Sequence, residues 1–231
     1  MIDGIIFDKD GTLFDFRLSW GAWARSLLDE LAQTEERRAE LGRAIGFDPV
    51  TGQFAPDSTV IAGTPDQIAE DLMPCFPGAD GSAMIARINR LAAVAPMVPA
   101  VDLRAVLGAL RDRGLVLGVV TNDAEAPAHA HLAAAGISDL FTFVAGFDSG
   151  HGAKPAPGPL MAFCRQTGLS PARVAMVGDS RHDLEAGHAA GMHRIAVLTG
   201  IATAPDLAPH ADAVLPDIGG LAAWIDGLTA P

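Results

Sequence analysis

Gly4-Ile5-Ile6-Phe7-Asp8-Lys9-Asp10-Gly11-Thr12-Leu13 delivers two carboxylates, two residues apart, directly after a four-residue apolar run. A run that short cannot make a helix and reads as a buried strand of a parallel sheet. Asp8 and Asp10 therefore arrive together at the strand's C-terminal edge, where open parallel sheets bind their ligands. Gly11 permits a sharp turn there and Thr12 adds a hydroxyl. A lone Asp-x-Asp at a strand exit is an ordinary acidic loop, so the rest of the chain must decide.

From about residue 99 onward, strand and helix signals alternate, the pattern of a parallel sheet covered by helices. Strands are expected at 115–121, 143–146, 174–177, 193–198 and 213–215. Helices are expected at 101–113, 125–135, 156–167, 181–190 and 218–228, with Ser180 as an N-cap. Between the first strand and this alternation lie about 85 residues of different texture, with helical periodicity at 18–32, 35–45, 65–73 and 82–95 around a turn-rich stretch at 46–65. The expected architecture is α/β: a doubly wound parallel sheet formed by residues 1–15 and 97–231, with a mainly helical cap, 16–96, inserted where it can close over the acidic edge.

Composition narrows the class. The chain has 231 residues, 49% of them hydrophobic, and a formal net charge of −12; its mean hydropathy is +0.27. That charge opposes a nucleic-acid partner, since sequence-independent affinity comes from neutralising phosphates with Lys and Arg. No apolar stretch approaches the roughly 20 residues that span a bilayer. The amino terminus, interrupted by Asp3 and Asp8, does not read as a signal peptide. A cytoplasmic protein without membrane partners is expected. Cys75 and Cys164 lie far apart without a CxxC pattern, so reduced thiols are expected. The only two lysines are Lys9 and Lys154.

Three further polar clusters follow apolar strands: Thr121-Asn122, Lys154-Pro155, and Gly178-Asp179-Ser180-Arg181-His182-Asp183. Each alone is weak, because Thr-Asn and Gly-Asp-Ser also occur as caps and turns. In a doubly wound sheet, however, strand ends converge, which gathers Asp8, Asp10, Asp179 and Asp183 in one cleft. Two carboxylates about 4 Å apart repel by about 4 kcal/mol at an effective dielectric of 20, so such a site calls for a cation. All-oxygen donors with room for water favour Mg2+. A cleft with metal, lysine, a hydroxyl and an amide suits the three equatorial oxygens of a phosphoryl group.

With these motifs in this order, the chain resembles the haloacid dehalogenase superfamily, in particular its phosphomonoesterases with a helical cap after the first motif, a phosphoglycolate phosphatase-like branch with a Rossmann-like core. The resemblance implies catalytic roles for Asp8, Asp10 and Lys154. Asp8 would attack phosphorus to form an aspartyl-phosphate, and Asp10 would serve as acid and then base. It implies phosphate binding by Thr121, Asn122 and Lys154, and metal binding by Asp8, the Asp10 carbonyl and Asp179, with Asp183 orienting Asp179 or a metal-bound water. Asp183 and Ser180 also have plain helix-capping readings. Lys9 stands where the family commonly has an apolar residue. Its backbone N–H is open to phosphate, while its side chain is expected to point toward cap or solvent.

The expected activity is hydrolysis of a small phosphorylated metabolite by a monomer or homodimer. A hexose phosphomutase would use the same core residues, separated only by the acceptor its cap admits. A dehalogenase lacks the carboxylate two residues after the nucleophile, and a phosphonatase needs a cap lysine, which this cap does not contain. A receiver-type signalling module carries its metal-binding acids before the phosphoacceptor and has no cap. Arg17 and Arg25 are candidates for holding a substrate carboxylate, against the commoner fate of solvated helix arginines. Trp20 and Trp23 read as packing residues.

Overall fold

A computed structural model of the chain describes residues 2–228; Met1 and residues 229–231, which fall within the expected core segments, lie outside the described residues. The helices and strands run in the order β1 (Gly4–Phe7), α1 (Phe16–Leu31), α2 (Glu35–Ala44), α3 (Pro65–Leu72), α4 (Gly81–Ala93), α5 (Leu103–Asp112), β2 (Val116–Val120), α6 (Glu125–Ala134), β3 (Phe143–Ala145), α7 (Gly158–Thr167), β4 (Val174–Gly178), α8 (Arg181–Ala190), β5 (His193–Val197), α9 (Ala204–Leu207), β6 (Ala213–Leu215) and α10 (Leu221–Gly227). The six strands form one sheet in the order β3-β2-β1-β4-β5-β6, every pairing parallel. The chain winds outward from β1 to β3, then crosses back to β4 on the other side of β1. This reversal creates a crevice at the carboxyl end of β1.

Alternation along the strands divides the interior into two layers. Ile5 and Phe7 face Leu107, Leu132 and Leu221 from α5, α6 and α10. Ile6 faces the other way, toward Leu160 and Phe163 of α7 and Ala186 of α8. A third apolar cluster is built from α1 to α4, with Trp23, Leu27, Leu41, Phe47, Ile68 and Ile88 among its buried members. The two segments leading into and out of these helices lie side by side: Asp15 N–H donates to Val98 O at 2.8 Å and Ala100 N–H donates to Leu13 O at 3.0 Å.

The differences from the expected elements have local causes. α7 begins at Gly158 rather than Ala156, because a residue that precedes proline, as Ala156 precedes Pro157, is disfavoured from the helical conformation. The last helix is preceded by a single 3₁₀ turn, Ile218–Gly220, and the four-residue α9 is too short to leave a periodic signature. No helix among the described residues is long and apolar enough to cross a membrane. Cys75 and Cys164 are both free thiols.

Candidate active site

Register brings the site together. Phe7 pairs with Val119 on one side and with Val177 on the other. Asp8, whose N–H donates to Val177 O at 2.8 Å, therefore leaves the sheet beside the exits of β2 and β4. Those exits supply Thr121 and Asp179. Lys154 reaches in from the loop after β3, across a cis peptide to Pro155. Asp183 comes from the first turn of α8.

Lys154 sits at the centre, 5% exposed. Its three ammonium protons have three partners: Asp8 Oδ1 at 2.5 Å, Asp183 Oδ1 at 2.7 Å and Val120 O at 2.9 Å. Burial opposes its charge, but Asp183 and Asp8 outweigh that and raise its pKa above the ordinary lysine value. Asp183 Oδ2 accepts from both the N–H and the hydroxyl of Ser180, at 3.0 and 2.7 Å. Asp183 thus caps α8 with one oxygen and pairs with Lys154 through the other.

Carboxylate oxygens of Asp8, Asp179 and Asp183 lie within 4.8 Å of one another. Asp179 Oδ2 is buried with no hydrogen-bond partner. Gly11 and Gly200 flank it so closely that a Cβ would fall 2.3 Å from this oxygen at Gly11 and 1.7 Å at Gly200. Burial, with the charges of Asp8 and Asp183, lifts Asp179 well above the usual carboxylate range. Burial also pushes Asp8 up to about 7, with Asp183 and Asp10 adding to the effect and Lys154 opposing it. An orphaned buried oxygen on Asp179, with Asp8 and Asp179 both reluctant to ionise, fits a hard divalent cation, which would relieve both penalties.

Asp10 lines the same cleft. Thr121 Oγ1 accepts from Asp123 N–H at 3.0 Å and keeps its own proton to donate. Asn122 differs from its expected place among the phosphate ligands. Its amide NH2 donates to Ala62 O in the cap and to Lys154 O, both at 2.9 Å, and its Oδ1 accepts from Lys154 N–H at 2.9 Å. The side chain is occupied in tying the lysine loop to the cap.

Lys9 departs further from expectation: it lies toward the cap, but fully buried. Its ammonium lies 2.8 Å from each Asp10 oxygen, 3.1 Å from Asp123 Oδ2 and 3.0 Å from His131 Nδ1, with the Trp20 ring centre at 5.4 Å. Burial opposes the charge, but Asp10 and Asp123 raise the pKa. Burial and the neighbouring Lys9 charge push His131 down to about 4. Sequence reasoning missed Asp123 and His131. The one available signal was that a protein with two lysines places one between two aspartates.

The remaining candidates divide. Trp20 borders the cleft, whereas Trp23 is buried in the cap cluster. Arg17 and Arg25 are exposed, and neither lines the cleft; Arg25 lies over the Phe47 ring at 5.9 Å.

Fold and site together define a capped α/β protein with an acidic, lysine-bearing cleft at the switch point of its sheet. The sequence profile of the haloacid dehalogenase-like hydrolases matches residues 2–191, and the chain belongs to that family. It is 38% identical over 121 residues to the phosphoglycolate phosphatase of Rhodospirillum rubrum, a match spanning 52% of this chain and half the length of that relative. It is 28% identical over 228 residues to the phosphoglycolate phosphatase of Shigella dysenteriae serotype 1, covering 86% of this chain and 82% of the other. The crystal structure of a predicted phosphoglycolate phosphatase from Haemophilus somnus superposes with a TM-score of 0.73 at 22% identity, covering 97% and 98% of the two chains.

Proposed function

We propose that the protein is a cytosolic, Mg2+-dependent phosphomonoester hydrolase acting on a small phosphorylated metabolite, with residues 16–96 as a cap over a core of 1–15 and 97–231. One observation carries the reading: Asp8 stands at the end of β1 with Lys154 Nζ 2.5 Å away, while Asp10 lines the same cleft outside that ion-pair cluster.

In this reading the Asp8 carboxylate attacks phosphorus, and the ester oxygen departs with a proton from Asp10. The resulting aspartyl-phosphate is hydrolysed when Asp10 takes a proton from water and that water attacks phosphorus. Inorganic phosphate leaves and Asp8 is regenerated. Lys154 neutralises Asp8 and the incoming phosphoryl group, and the Thr121 hydroxyl donates to a phosphoryl oxygen. Asp8, the Asp10 carbonyl and Asp179 would hold Mg2+, with Asp183 and Lys154 fixing their orientation. When bound, the metal supplies positive charge against the carboxylates and phosphoryl oxygens.

The names of the relatives make phosphoglycolate the reference substrate, while the cleft itself supports the broader class of small phosphomonoesters. The test is hydrolysis of a phosphomonoester panel with and without Mg2+. Turnover should vanish without the metal and fall by at least about 1,000-fold in Asp8→Asn. Full activity in Asp8→Asn would overturn the mechanism.

A further inference from the structure

The proposed reaction leaves two buried charges at the cleft unused, Asp123 and the Lys9 behind it. The Lys9 ammonium hydrogen-bonds Asp10 Oδ1 at 2.8 Å, meets His131 Nδ1 at 3.0 Å and forms an ion pair with Asp123 Oδ2 at 3.1 Å. Its orientation is therefore fixed. Because both Asp10 oxygens lie 2.8 Å from it, the plane of that carboxylate is fixed as well. His131 Nδ1 faces an obligatory donor and must accept. The imidazole is then neutral, with its proton on Nε2, which donates to Ala92 O at 2.7 Å. Ala92 lies in α4 and Trp20 in α1, both in the cap.

We propose that Lys9 is a positioning residue for Asp10, and that His131 ties this position to the seating of the cap. The inference rests on the reading of Asp10 as the acid and base. A proton-transfer group must lie within hydrogen-bond reach of the leaving oxygen, and small displacements are expensive in rate. Without such a partner the Asp10 carboxylate would have no fixed plane. When the cap lifts, His131 loses its Nε2 acceptor, Trp20 leaves the ammonium and water enters. Asp10 is thus fully oriented only with the cap closed, so proton transfer is assembled by the motion that encloses the substrate.

The test compares kcat/KM for an alkyl phosphate, whose leaving group needs an acid, with p-nitrophenyl phosphate, whose leaving group needs none. Both values report steps through ester cleavage. Lys9→Met should lose about 100-fold on the alkyl ester and stay within about fivefold on the aryl ester. His131→Leu, which keeps Lys9 and Asp10, should show the same selectivity with a loss of about 5- to 10-fold. Since Lys9→Met leaves Asp123 unpaired, Lys9→Met/Asp123→Asn is measured alongside it. An unaltered Mg2+-induced shift in Tm confirms that the Asp8 and Asp179 site is intact in each variant. Equal losses on both esters, or no loss on either, would overturn the proposal. Wild-type hydrolysis of both esters, abolished in Asp8→Asn, tests the function itself independently of Lys9.

Discussion

Asp179 shows how closely a single position can be constrained by what its neighbours lack. The atoms that crowd an added Cβ at Gly11 or Gly200 belong to the Asp179 carboxylate, so a methyl group at either place must displace the proposed metal ligand. Gly200→Ala is expected to raise the Mg2+ concentration for half-maximal activity by about 10- to 100-fold. Gly108→Ala is the control, because a Cβ there meets nothing within 4 Å. In the middle of α5 it should instead stabilise the fold by about 0.5–1 kcal/mol. Asp8 supplies a prediction of its own. Burial raises it to about 7 in the metal-free protein, whereas in the unfolded chain it ionises near pH 4. Between those values the folded state holds a proton that the unfolded state has released, so metal-free stability falls as pH rises through this window. Mg2+ displaces that proton. The Tm increase on adding Mg2+ should therefore be small near pH 5.5 and grow as pH rises through 7, the more so because Asp179 is raised as well. A Tm increase independent of pH would show that the metal does not bind at the raised carboxylates of Asp8 and Asp179.

Elements whose signal is local were legible in the sequence, and those whose signal is tertiary were not. Gly4–Phe7 is a strand because four apolar residues occur in succession where a buried parallel strand needs them. Asp8, Lys154, Asp179 and Asp183 could be gathered in advance because each follows a strand, and the topology of parallel sheets makes strand ends converge. His131 gave no such sign. It lies in the last turn of α6, 122 residues from Lys9, and nothing local separates it from an ordinary core histidine. Asn122 was legible in place but not in duty, since its partner Ala62 belongs to a turn-rich stretch without periodicity. That bond joins the β2 exit to the cap, and two others brace the Lys154 backbone. Asn122→Ala should lower stability by about 1–3 kcal/mol. It should also speed amide exchange in residues 58–63 beyond any change in α5. Unchanged exchange there would mean that the cap loop is held by other contacts.

At the scale of the whole molecule, the cleft has a polar floor and an apolar roof. The core supplies five aspartates and Lys154, while Trp20, Val60, Ile61, Ile68 and Ile88 cover them from the cap. No arginine or lysine of the cap is among the described lining residues, and Arg181, next in sequence to the lining residues Ser180 and His182, pairs with Glu185 at 3.0 Å. Lys154 is committed to Asp8 and Asp183. A leaving group that brings its own carboxylate would thus find no uncommitted fixed cation in this enclosure, only the His182 imidazole among the lining residues, and burying a charge without a full counter-charge is costly. Between phosphoglycolate and 2-hydroxyethyl phosphate, which are nearly the same size, the uncharged ester should have the higher kcat/KM. A ratio of at least about tenfold is expected, equal to about 1.4 kcal/mol at the transition state. The opposite preference would mean that an arginine reaches the substrate in another arrangement. Arg25→Ala and Arg181→Ala would then show which of the two arginines does so.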